Sequence, residues 1–463
     1  MERDKIYYCS TEGYCGDFIP FYWDGVYHLY HISGGGWKHI TTTDFVHFTD
    51  LGMSINGTDD ETAQDKNVFT GCVTEHDGVF HMFYCGHNDK LVPVEAAMHA
   101  TRTDLHNWTK DPDFCIKPDG QLYSLGAFRD SFVFYNEDVG EYWMLVTGAT
   151  TENRSKRWAT AALVASKDFK NWELRDPIYK PYMYDSHECP DMFKMGNKWY
   201  LVFSEYTRWW ETKYRVSDSP YGPWEIPAND TFDGRTMYAA KTVSNGERRF
   251  IVGWLCHKVE GNDKTKYMWG GHLLVHEIVQ APDGTLNVKP ISEVLNAFTK
   301  PVAIAAGDSF GGNWKCENGK YIGESEGFST LKLGTAGEDV LYKAKIKIKP
   351  GTLSAGLVFR ASYPVFDKWC MLKIEQKRGR IYFDSFFKFF DDVFFDEVRP
   401  ITVPEDNVYD LKIITSGSIF SVYVNDEVAL SGRSYSFRDG DFGLFTENGS
   451  AEFYDISVLG SGI

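Results

Sequence analysis

One strand ending, GVYHLYHI at residues 25–32, returns in altered form four more times before residue 256. The later copies read GVFHMFYCG (78–86), GEYWMLVTG (140–148), NKWYLVFSE (197–205) and ERRFIVGWL (247–255). Their matching aromatic residues are 53, 62, 57 and 51 residues apart, in the order Tyr27, Phe80, Tyr142, Trp199 and Phe250. Repeats of this length, built from short strands and turn residues, are typical of propeller blades. The sequence therefore predicts an all-β fold that begins with a five-bladed β-propeller.

A carboxylate recurs ten to twelve residues before the aromatic position in three of the five repeats. The corresponding residues, from the first repeat to the fifth, are Asp17, Thr70, Asp130, Glu188 and Ala240. The first strand of each blade lines the propeller axis, so equivalent positions face one another across a central funnel. Three carboxylates that are distant in sequence are therefore predicted to converge on one pocket.

A second repeated feature is an aspartate that is expected after the second strand of a repeat. It occurs in TTTDFVHF (41–48), ATRTDLHNW (100–108), VASKDFKNW (164–172) and, more loosely, RVSDSPYGPW (215–224). An aspartate beside backbone amides favours a tight turn, and the aromatic residue that follows can cover the edge of the blade. We therefore interpret Asp44, Asp104, Asp168 and Asp218 as structural residues.

The composition argues against a nucleic-acid partner. Among 463 residues, 65 acidic and 48 basic side chains give a net charge of −17, whereas nucleic-acid binding needs a concentrated basic face. No apolar run of 18 residues and no leader peptide is recognisable, so no membrane partner is expected. Nine cysteines without a Cys-x-x-Cys pair suit reduced thiols. These features together predict a cytoplasmic protein.

A second domain is predicted after about residue 295, where the repeat ends. Segments such as 339–350 and 419–430 alternate apolar and polar residues between turns, as in an antiparallel β-sandwich. The predicted division is a propeller at 1–295, a linker at 296–307 and a β-sandwich at 308–463. Seven phenylalanines among acids at 383–397 favour a strand pair with one face in the core over an exposed apolar surface.

Each of the three acids also has an ordinary structural explanation. An isolated aspartate at a strand start, such as Asp17, more often caps a turn or faces solvent. Asp130 follows Arg129, with which it could form an ion pair, and Glu188 could be a residue of the rim. His28 and His31 are likewise better explained as ordinary strand residues than as metal ligands, because residues three apart on a strand lie on opposite faces. The shared register of the acids is what favours a functional site.

Three segments around the acids carry motifs. They are HECPDMF (187–193), AFRDSFVFY (127–135) and YCGDFIPFYWDGVYHLY (14–30). They resemble, in that order, the Glu-Cys-Pro-Asp, Arg-Asp-Pro and Trp-Met-Asn-Asp-Pro-Asn-Gly motifs of glycoside hydrolase family 32, the fructan hydrolases and invertases. Ser131 replaces the proline of the second motif. The predicted sandwich is also similar to that family's C-terminal domain, notably at 442–454. The resemblance covers nearly the whole chain.

The resemblance implies a retaining glycosidase that cleaves β-fructofuranosidic bonds in short fructosides or fructo-oligosaccharides. Asp17 would be the nucleophile, Glu188 the general acid and base, and Asp130 would hold the fructosyl hydroxyls, with Arg129 orienting Asp130. Burial would raise the pKa of Glu188, whereas hydrogen-bond donors would keep Asp17 charged. This mechanism needs no metal and no cofactor, and the partner is a small carbohydrate. The sandwich could brace the propeller, bind sugar or form a homodimer contact.

Departures from the family leave the substrate open. Gly16 and Ile19 replace the two asparagines beside the nucleophile, so a modified, phosphorylated or cyclic fructoside, or another furanoside, is also considered. The predicted substrate-binding residues are Arg129, Trp37, Phe69, Thr70, Cys189, Tyr238 and Trp269, although core packing explains Phe69 equally well. A further group could form an outer subsite with arginines suited to a phosphate or carboxylate, or merely a loop network on the rim. It comprises Arg154, Arg157, Trp158, Arg208, Trp209 and Trp210.

Three functions of different classes therefore remain open. The favoured one is the retaining β-fructofuranosidase. The second is an inverting arabinofuranosidase or xylosidase on a five-bladed propeller, which the anomeric configuration of the first product would distinguish. The third is a non-catalytic sugar-binding protein, which would bind a fructoside tightly without forming product.

Overall fold

The structure is a computed structural model that describes residues 6–152, 156–386 and 397–463. These residues form two compact units. The first comprises Glu12–Cys256 and Gly270–Leu286, and the second comprises the described parts of Met1–Thr11, His257–Trp269 and Asn287–Ile463. No helix in the described parts of the chain is long and apolar enough to span a membrane. Arg154 and most of the phenylalanine-rich segment lie outside the described residues.

Five antiparallel sheets confirm the predicted five-bladed propeller. Blade 1 contains β1 (Gly16–Trp23), β2 (Val26–Ser33), β3 (Gly36–Thr42) and β4 (Thr49–Ile55), and blade 2 contains β5 (Asn67–His76), β6 (Val79–His87), β7 (Glu95–Arg102) and β8 (Thr109–Ile116). Blade 3 contains β9 (Tyr123–Asn136), β10 (Glu141–Thr150), β11 (Ala159–Ser166) and β12 (Glu173–Tyr179), and blade 4 contains β13 (Glu188–Met195), β14 (Lys198–Glu205) and β15 (Glu211–Ser217). Blade 5 contains β16 (Met237–Ser244), β17 (Arg249–Lys258), β18 (Tyr267–Gln280) and β19 (Leu286–Lys289).

Aromatic side chains of the repeat close the blades into a ring. Contacts between neighbouring blades join Phe21 to Phe80, His76 to Tyr142, Phe134 to Trp199, Phe193 to the Arg249 guanidinium, and Phe250 to Tyr27. The last of these contacts joins blade 5 to blade 1. Strands β1, β5, β9, β13 and β16 lie against one another around the axis, so the first strand of every blade is the innermost.

The innermost strand of every blade has a β-bulge at the same place. Its pairing with the second strand shifts directly after Gly16, Phe69, Arg129, Glu188 and Tyr238. In four blades the next residue has a positive φ: 48° at Asp17, 60° at Asp130, 50° at Cys189 and 49° at Ala239. Bulges of this kind re-aim side chains near functional sites. The predicted register is therefore wrong by one residue in blades 4 and 5, where the bulge residues are Cys189 and Ala239.

The turn aspartates are structural, as predicted, but they follow the third strand of a blade rather than the second. Asp44, Asp104 and Asp168 each accept hydrogen bonds from the backbone amides two and three residues later, at 2.8 to 3.0 Å. These bonds satisfy amides that the ladder leaves unpaired. The looser fourth copy differs, since Asp218 pairs with Lys198 at 2.7 Å.

The second unit contains the predicted β-sandwich. Its strands are β20 (Phe298–Pro301), β21 (Ser309–Phe310), β22 (Asn313–Glu317), β23 (Lys320–Ala336), β24 (Val340–Ile348), β25 (Ser354–Ala361), β26 (Trp369–Glu375), β27 (Arg380–Phe386), β28 (Val398–Pro400), β29 (Val408–Ser416), β30 (Ile419–Val424), β31 (Val428–Arg433) and β32 (Gly440–Ser461). The helical segments in the described part of the chain are a five-residue α1 (Ser292–Asn296) and two 3-10 turns at Val259–Gly261 and Gln376–Arg378.

The long strand β32 joins the two layers of the sandwich into one hydrogen-bonded sheet. Its first half pairs with β25 and β23, and its second half pairs with β24. Side chains of both layers fill one core, in which the rings of Phe383 and Phe420 lie 4.1 Å apart. Within the segment predicted as a linker, Phe298–Pro301 forms β20, because its backbone pairs with the end of β32.

Candidate active site

Asp17 lies at the bulge of β1, where two side chains donate hydrogen bonds to it. Thr70 Oγ1 donates to Oδ2 at 2.6 Å, and Trp254 Nε1 donates to Oδ1 at 3.0 Å. Burial raises the pKa of Asp17 to about 6, outweighing the two donors, and the nearby charges of Asp130 and Glu188 act in the same direction as burial. The predicted donors are therefore present, and Asp17 is largely ionised at pH 7.

Glu188 begins β13 and is also held by two donors. Arg129 Nη2 donates to Oε1 at 2.8 Å, and Tyr238 Oη donates to Oε2 at 2.7 Å. Burial raises the pKa of Glu188, as predicted, and the neighbouring Asp130 carboxylate raises it further, whereas Arg129 and Tyr238 lower it. The side chain remains 22% exposed, so the carboxyl group is accessible.

Arg129 was expected to orient Asp130, but its hydrogen bond goes to Glu188 instead. Its Nε lies 3.7 Å from Asp130 Oδ2, which is an ion-pair distance without a hydrogen bond. Its other nitrogens donate to Ser186 Oγ at 3.0 Å and to Glu95 Oε2 at 3.4 Å, in addition to Glu188. The reason is positional: Arg129 and Glu188 both precede the bulge of their strands, which places them side by side on adjacent blades.

Asp130 is the most buried of the three acids, with 4% of its surface exposed. Its Oδ2 accepts hydrogen bonds from Thr147 Oγ1 and from the backbone amide of Cys189, both at 3.0 Å. This amide belongs to the bulge of β13, where Cys189 has a positive φ. Cys189 therefore contributes its backbone, and burial raises the pKa of its thiol well above the ordinary value, which keeps the thiol neutral.

Two aromatic residues connect the acids across the funnel. The rings of Trp254 and Tyr238 meet edge to face, with centroids 5.6 Å apart at an angle of 65°. Trp254 donates to Asp17 and Tyr238 donates to Glu188, so the two carboxylates are bound to side chains that touch each other. Asp130 joins them through Arg129 and Cys189. Asp17, Asp130 and Glu188 therefore lie together in the first unit, as predicted.

The comparison with known families agrees with this geometry. Residues 17–290, more than half of the chain, match the N-terminal domain of glycosyl hydrolases family 32. The chain belongs to family 32. This membership confirms the predicted class of enzyme, a glycosidase, and the relatives agree with hydrolysis of β-fructofuranosidic bonds.

Two related proteins and one solved structure are similar to this chain over different fractions of its length. Raffinose invertase of Escherichia coli is 22% identical over 90% of this chain and 85% of its own length. Sucrose-6-phosphate hydrolase of Vibrio alginolyticus is 23% identical, over 58% of this chain and 57% of its own length. The crystal structure of exo-inulinase from Aspergillus awamori has a TM-score of 0.77, with 17% identity over 99% of this chain and 98% of that one. This likeness confirms the propeller and sandwich fold.

The remaining residues predicted from the family 32 motifs have different surroundings. Thr70 contacts Asp17 directly, whereas Trp37 is fully buried and donates to the Phe69 carbonyl at 3.1 Å. Phe69 is half-buried, with its ring 4.8 Å from that of His87. Trp269 belongs to the second unit and is 46% exposed. Ile19, at a position where the family has asparagine, lies fully buried in an apolar core rather than on an open surface.

Trp254 and Thr147 were missed by the sequence prediction. Both occupy the same repeat position, directly opposite the residue that precedes the bulge. Both donate to an aspartate at a bulge, Trp254 to Asp17 and Thr147 to Asp130. Aligning the repeats on their aromatic residues does not reveal this shared position, because Thr147 follows Tyr142 by five residues whereas Trp254 follows Phe250 by four.

His187, next to Glu188, is not a candidate base. It is fully buried, and its ring contacts those of Tyr179, Tyr184 and Phe203. Burial lowers the pKa of His187 to about 3, so the imidazole is neutral at physiological pH. Within residues 6–152, 156–386 and 397–463, no three His, Cys, Asp or Glu side chains are placed to hold a metal ion.

Proposed function

We propose that this glycosidase releases terminal fructose from short β-fructofuranosides by double displacement, with Asp17 as nucleophile and Glu188 as general acid and base. The observation that carries the proposal is the Trp254–Tyr238 contact, which holds these two carboxyl groups in one funnel with different partners. A retaining glycosidase needs two such groups, one ionised and one able to donate a proton.

The first step breaks the glycosidic bond. The Asp17 carboxylate attacks the anomeric carbon while the Glu188 carboxyl group gives its proton to the departing oxygen. Burial of Glu188 favours its protonated form before this transfer. The Arg129 guanidinium, 2.8 Å away, stabilises the carboxylate that remains. The leaving group departs as an alcohol, and the fructosyl group is bound covalently to Asp17.

The second step releases fructose. The Glu188 carboxylate takes a proton from water, whose oxygen attacks the anomeric carbon and displaces Asp17. Thr70 and Trp254 stabilise the aspartate as it regains its charge. Asp130 is proposed to hold fructosyl hydroxyls through Oδ1, because Thr147 and Cys189 already donate to Oδ2. No step requires a metal or an organic cofactor.

A cytoplasmic location is part of the proposal. It is supported by the nine cysteines, none of which forms a disulfide bond among the described residues. Reduced cysteines in this number suit a reducing compartment. A homodimer that uses the sandwich remains a prediction.

The test is fructose release from sucrose, sucrose 6-phosphate, and short inulin and levan oligomers. Asp17→Asn and Glu188→Gln should each lower kcat by about 10³-fold or more. The Glu188→Gln loss should be smaller on p-nitrophenyl β-fructofuranoside, whose leaving group needs no proton. Asp24→Asn and Glu247→Gln, both on exposed turns, serve as matched controls. Near-normal rates in either site variant would contradict the assignment.

A further inference from the structure

The loop between β14 and β15 presents three exposed aromatic side chains. Tyr206 is 39% exposed, Trp209 61% and Trp210 36%. The fully buried Glu205 anchors this loop, because its carboxylate accepts hydrogen bonds from the amides of Arg208 at 2.9 Å and Trp209 at 3.4 Å. Three large aromatic residues on one short anchored loop are unusual on a protein surface and are suited to binding.

Trp210 contacts the acid side of the proposed active site. Its ring stacks on that of Tyr238, with centroids 4.5 Å apart and planes within 25° of each other. Tyr238 in turn donates to Glu188. Since the general acid protonates the departing oxygen, groups beside Glu188 lie on the leaving-group side of the scissile bond. The Glu188 charge also contributes, after burial, to raising the pKa of Tyr206, so Tyr206 lies within electrostatic reach of the acid.

A carboxylate borders this aromatic surface. Asp185 Oδ2 accepts a hydrogen bond from Tyr206 Oη at 3.3 Å, and Oδ1 accepts one from Trp158 Nε1 at 3.0 Å. A half-buried carboxylate accepts hydrogen bonds from sugar hydroxyls and repels a phosphate. An aromatic face with a polar acceptor beside it is the usual arrangement around a neutral sugar ring.

The cations of this rim are mostly occupied elsewhere. Arg157 Nη1 donates to the carbonyl of Met183 at 2.6 Å, and Lys156 lies 5.2 Å over the ring of Trp158. Arg129 lies close enough to Tyr206 to lower the pKa of its hydroxyl, but its guanidinium is paired with Glu188. Arg208 is exposed on the same loop, and its guanidinium would favour a phosphorylated leaving group.

We infer that Trp210, Tyr206 and Asp185 form a subsite for the neutral sugar ring of the leaving group. This inference rests on the proposed function, because it takes Glu188 as the general acid. The ring would pack against the exposed part of Trp210, with its hydroxyls donating to Asp185. The preferred substrates are then uncharged di- and oligosaccharides rather than phosphorylated ones.

The first test compares two fructosides that differ only in the leaving group. Trp210→Ala should lower kcat/KM for sucrose at least tenfold and leave that for methyl β-fructofuranoside within about threefold. The control is Trp23→Ala, which removes a half-exposed tryptophan from the end of β1 that is distant from Asp17. It should change the kcat/KM of neither substrate. Equal losses on both substrates would overturn the inference, since Trp210 would then act only by positioning Tyr238. Unchanged rates on both would overturn it as well.

The second test concerns charge. Wild type should prefer sucrose to sucrose 6-phosphate, and Asp185→Asn should narrow this preference, because it removes the negative charge that repels the phosphate. Arg208→Ala should not alter the ratio of the two kcat/KM values. A selective loss of the phosphorylated substrate in Arg208→Ala would overturn the neutral assignment.

A binding measurement separates this inference from the proposed function. The dissociation constant of sucrose would be measured by calorimetric titration of Glu188→Gln and of the double variant Glu188→Gln/Trp210→Ala. It should be about tenfold higher in the double variant. If wild type cleaves no fructoside but this binding difference is found, the proposed function fails and the subsite stands. If sucrose binds equally with and without Trp210, the subsite is wrong even in an active enzyme.

Discussion

At the scale of single residues, the ionisation of Asp17 should set the acid limb of the pH profile of kcat/KM, and the hydrogen bond from Thr70 tunes it. Asp17 must be ionised to attack, and its pKa is about 6 even though the Thr70 hydrogen bond lowers it. Thr70→Val removes this donor and should raise the pKa of Asp17, which moves the acid limb of kcat/KM to higher pH. At pH 6 we expect a loss of about three- to tenfold, with a much smaller loss at pH 8.

The matched control for this substitution is Thr160→Val. Thr160 is fully buried in blade 3, and its hydroxyl has no hydrogen-bond partner among the described residues. The same change of side chain there should leave the acid limb where it is. An acid limb that shifts equally in both variants would mean that Asp17 does not govern it.

The raised pKa of Asp17 also predicts a stability effect. Because the folded pKa of about 6 exceeds the ordinary 3.8, ionising Asp17 destabilises the folded state above pH 6, and this cost vanishes below pH 3.8. At pH 7.5, Asp17→Asn should therefore unfold at a higher urea concentration than wild type. Its free energy of unfolding should be greater by up to about 3 kcal/mol. The advantage should shrink as the pH falls from 6 toward 4. An advantage that does not depend on pH would show that ionisation is not its cause.

At the scale of strands, the bulges place the acids, and their register can be tested in blade 5. Ala239 has a positive φ, where a β-carbon costs about 1 kcal/mol, whereas Ala240 does not. Ala239→Gly should therefore leave the free energy of unfolding unchanged or raise it, while Ala240→Gly should lower it by about 0.5 to 1 kcal/mol. Urea unfolding of the two variants checks this. If Ala239→Gly lowered the free energy of unfolding and Ala240→Gly did not, the bulge would lie at Ala240, as the repeat register predicts.

These bulges also show where prediction from sequence stopped. The aromatic endings, from Tyr27 to Phe250, predicted the blades, since each strand must bury one face against the next blade. The residue with a positive φ was not predictable, because Asp17, Asp130, Cys189 and Ala239 share no side-chain property, and none of them is glycine. The strand partners, not the local sequence, impose this conformation. Trp254 was missed for the same reason: its partner Asp17 is 237 residues away.

At the scale of the whole molecule, the state of the cysteines tests the proposed location. In the described parts of the chain the nine cysteines form no disulfide bond, and seven of them are buried, whereas Cys115 and Cys316 are exposed. Ellman's reagent should therefore titrate nine thiols in denaturant and about two in the native protein. Partial desolvation of the Cys115 sulfur nevertheless raises the pKa of its thiol, which slows its reaction at neutral pH. Fewer than nine thiols in protein isolated without reductant would argue for an oxidising compartment.

The two-part organisation was predictable, but its finer assignment was not. Alternating residues at 339–350 and 419–430 predicted strands of a sandwich, and both segments contain them as β24 and β30. The membership of residues 6–11 and His257–Trp269 in the second unit depends on long-range packing that no local pattern encodes. The same holds for β20, whose short sequence pairs with β32 more than 150 residues later. The predicted boundaries of the domains remain predictions.

The central claim, double displacement at Asp17, is tested most directly by the configuration of a product that cannot equilibrate. The enzyme would be supplied with sucrose in buffer containing methanol, and the methyl fructofuranoside formed would be identified by carbon-13 NMR. Our account predicts methyl β-fructofuranoside, because two inversions, first by Asp17 and then by methanol, restore the original configuration. Methyl α-fructofuranoside would mean a single displacement without a nucleophilic Asp17 and would contradict the account.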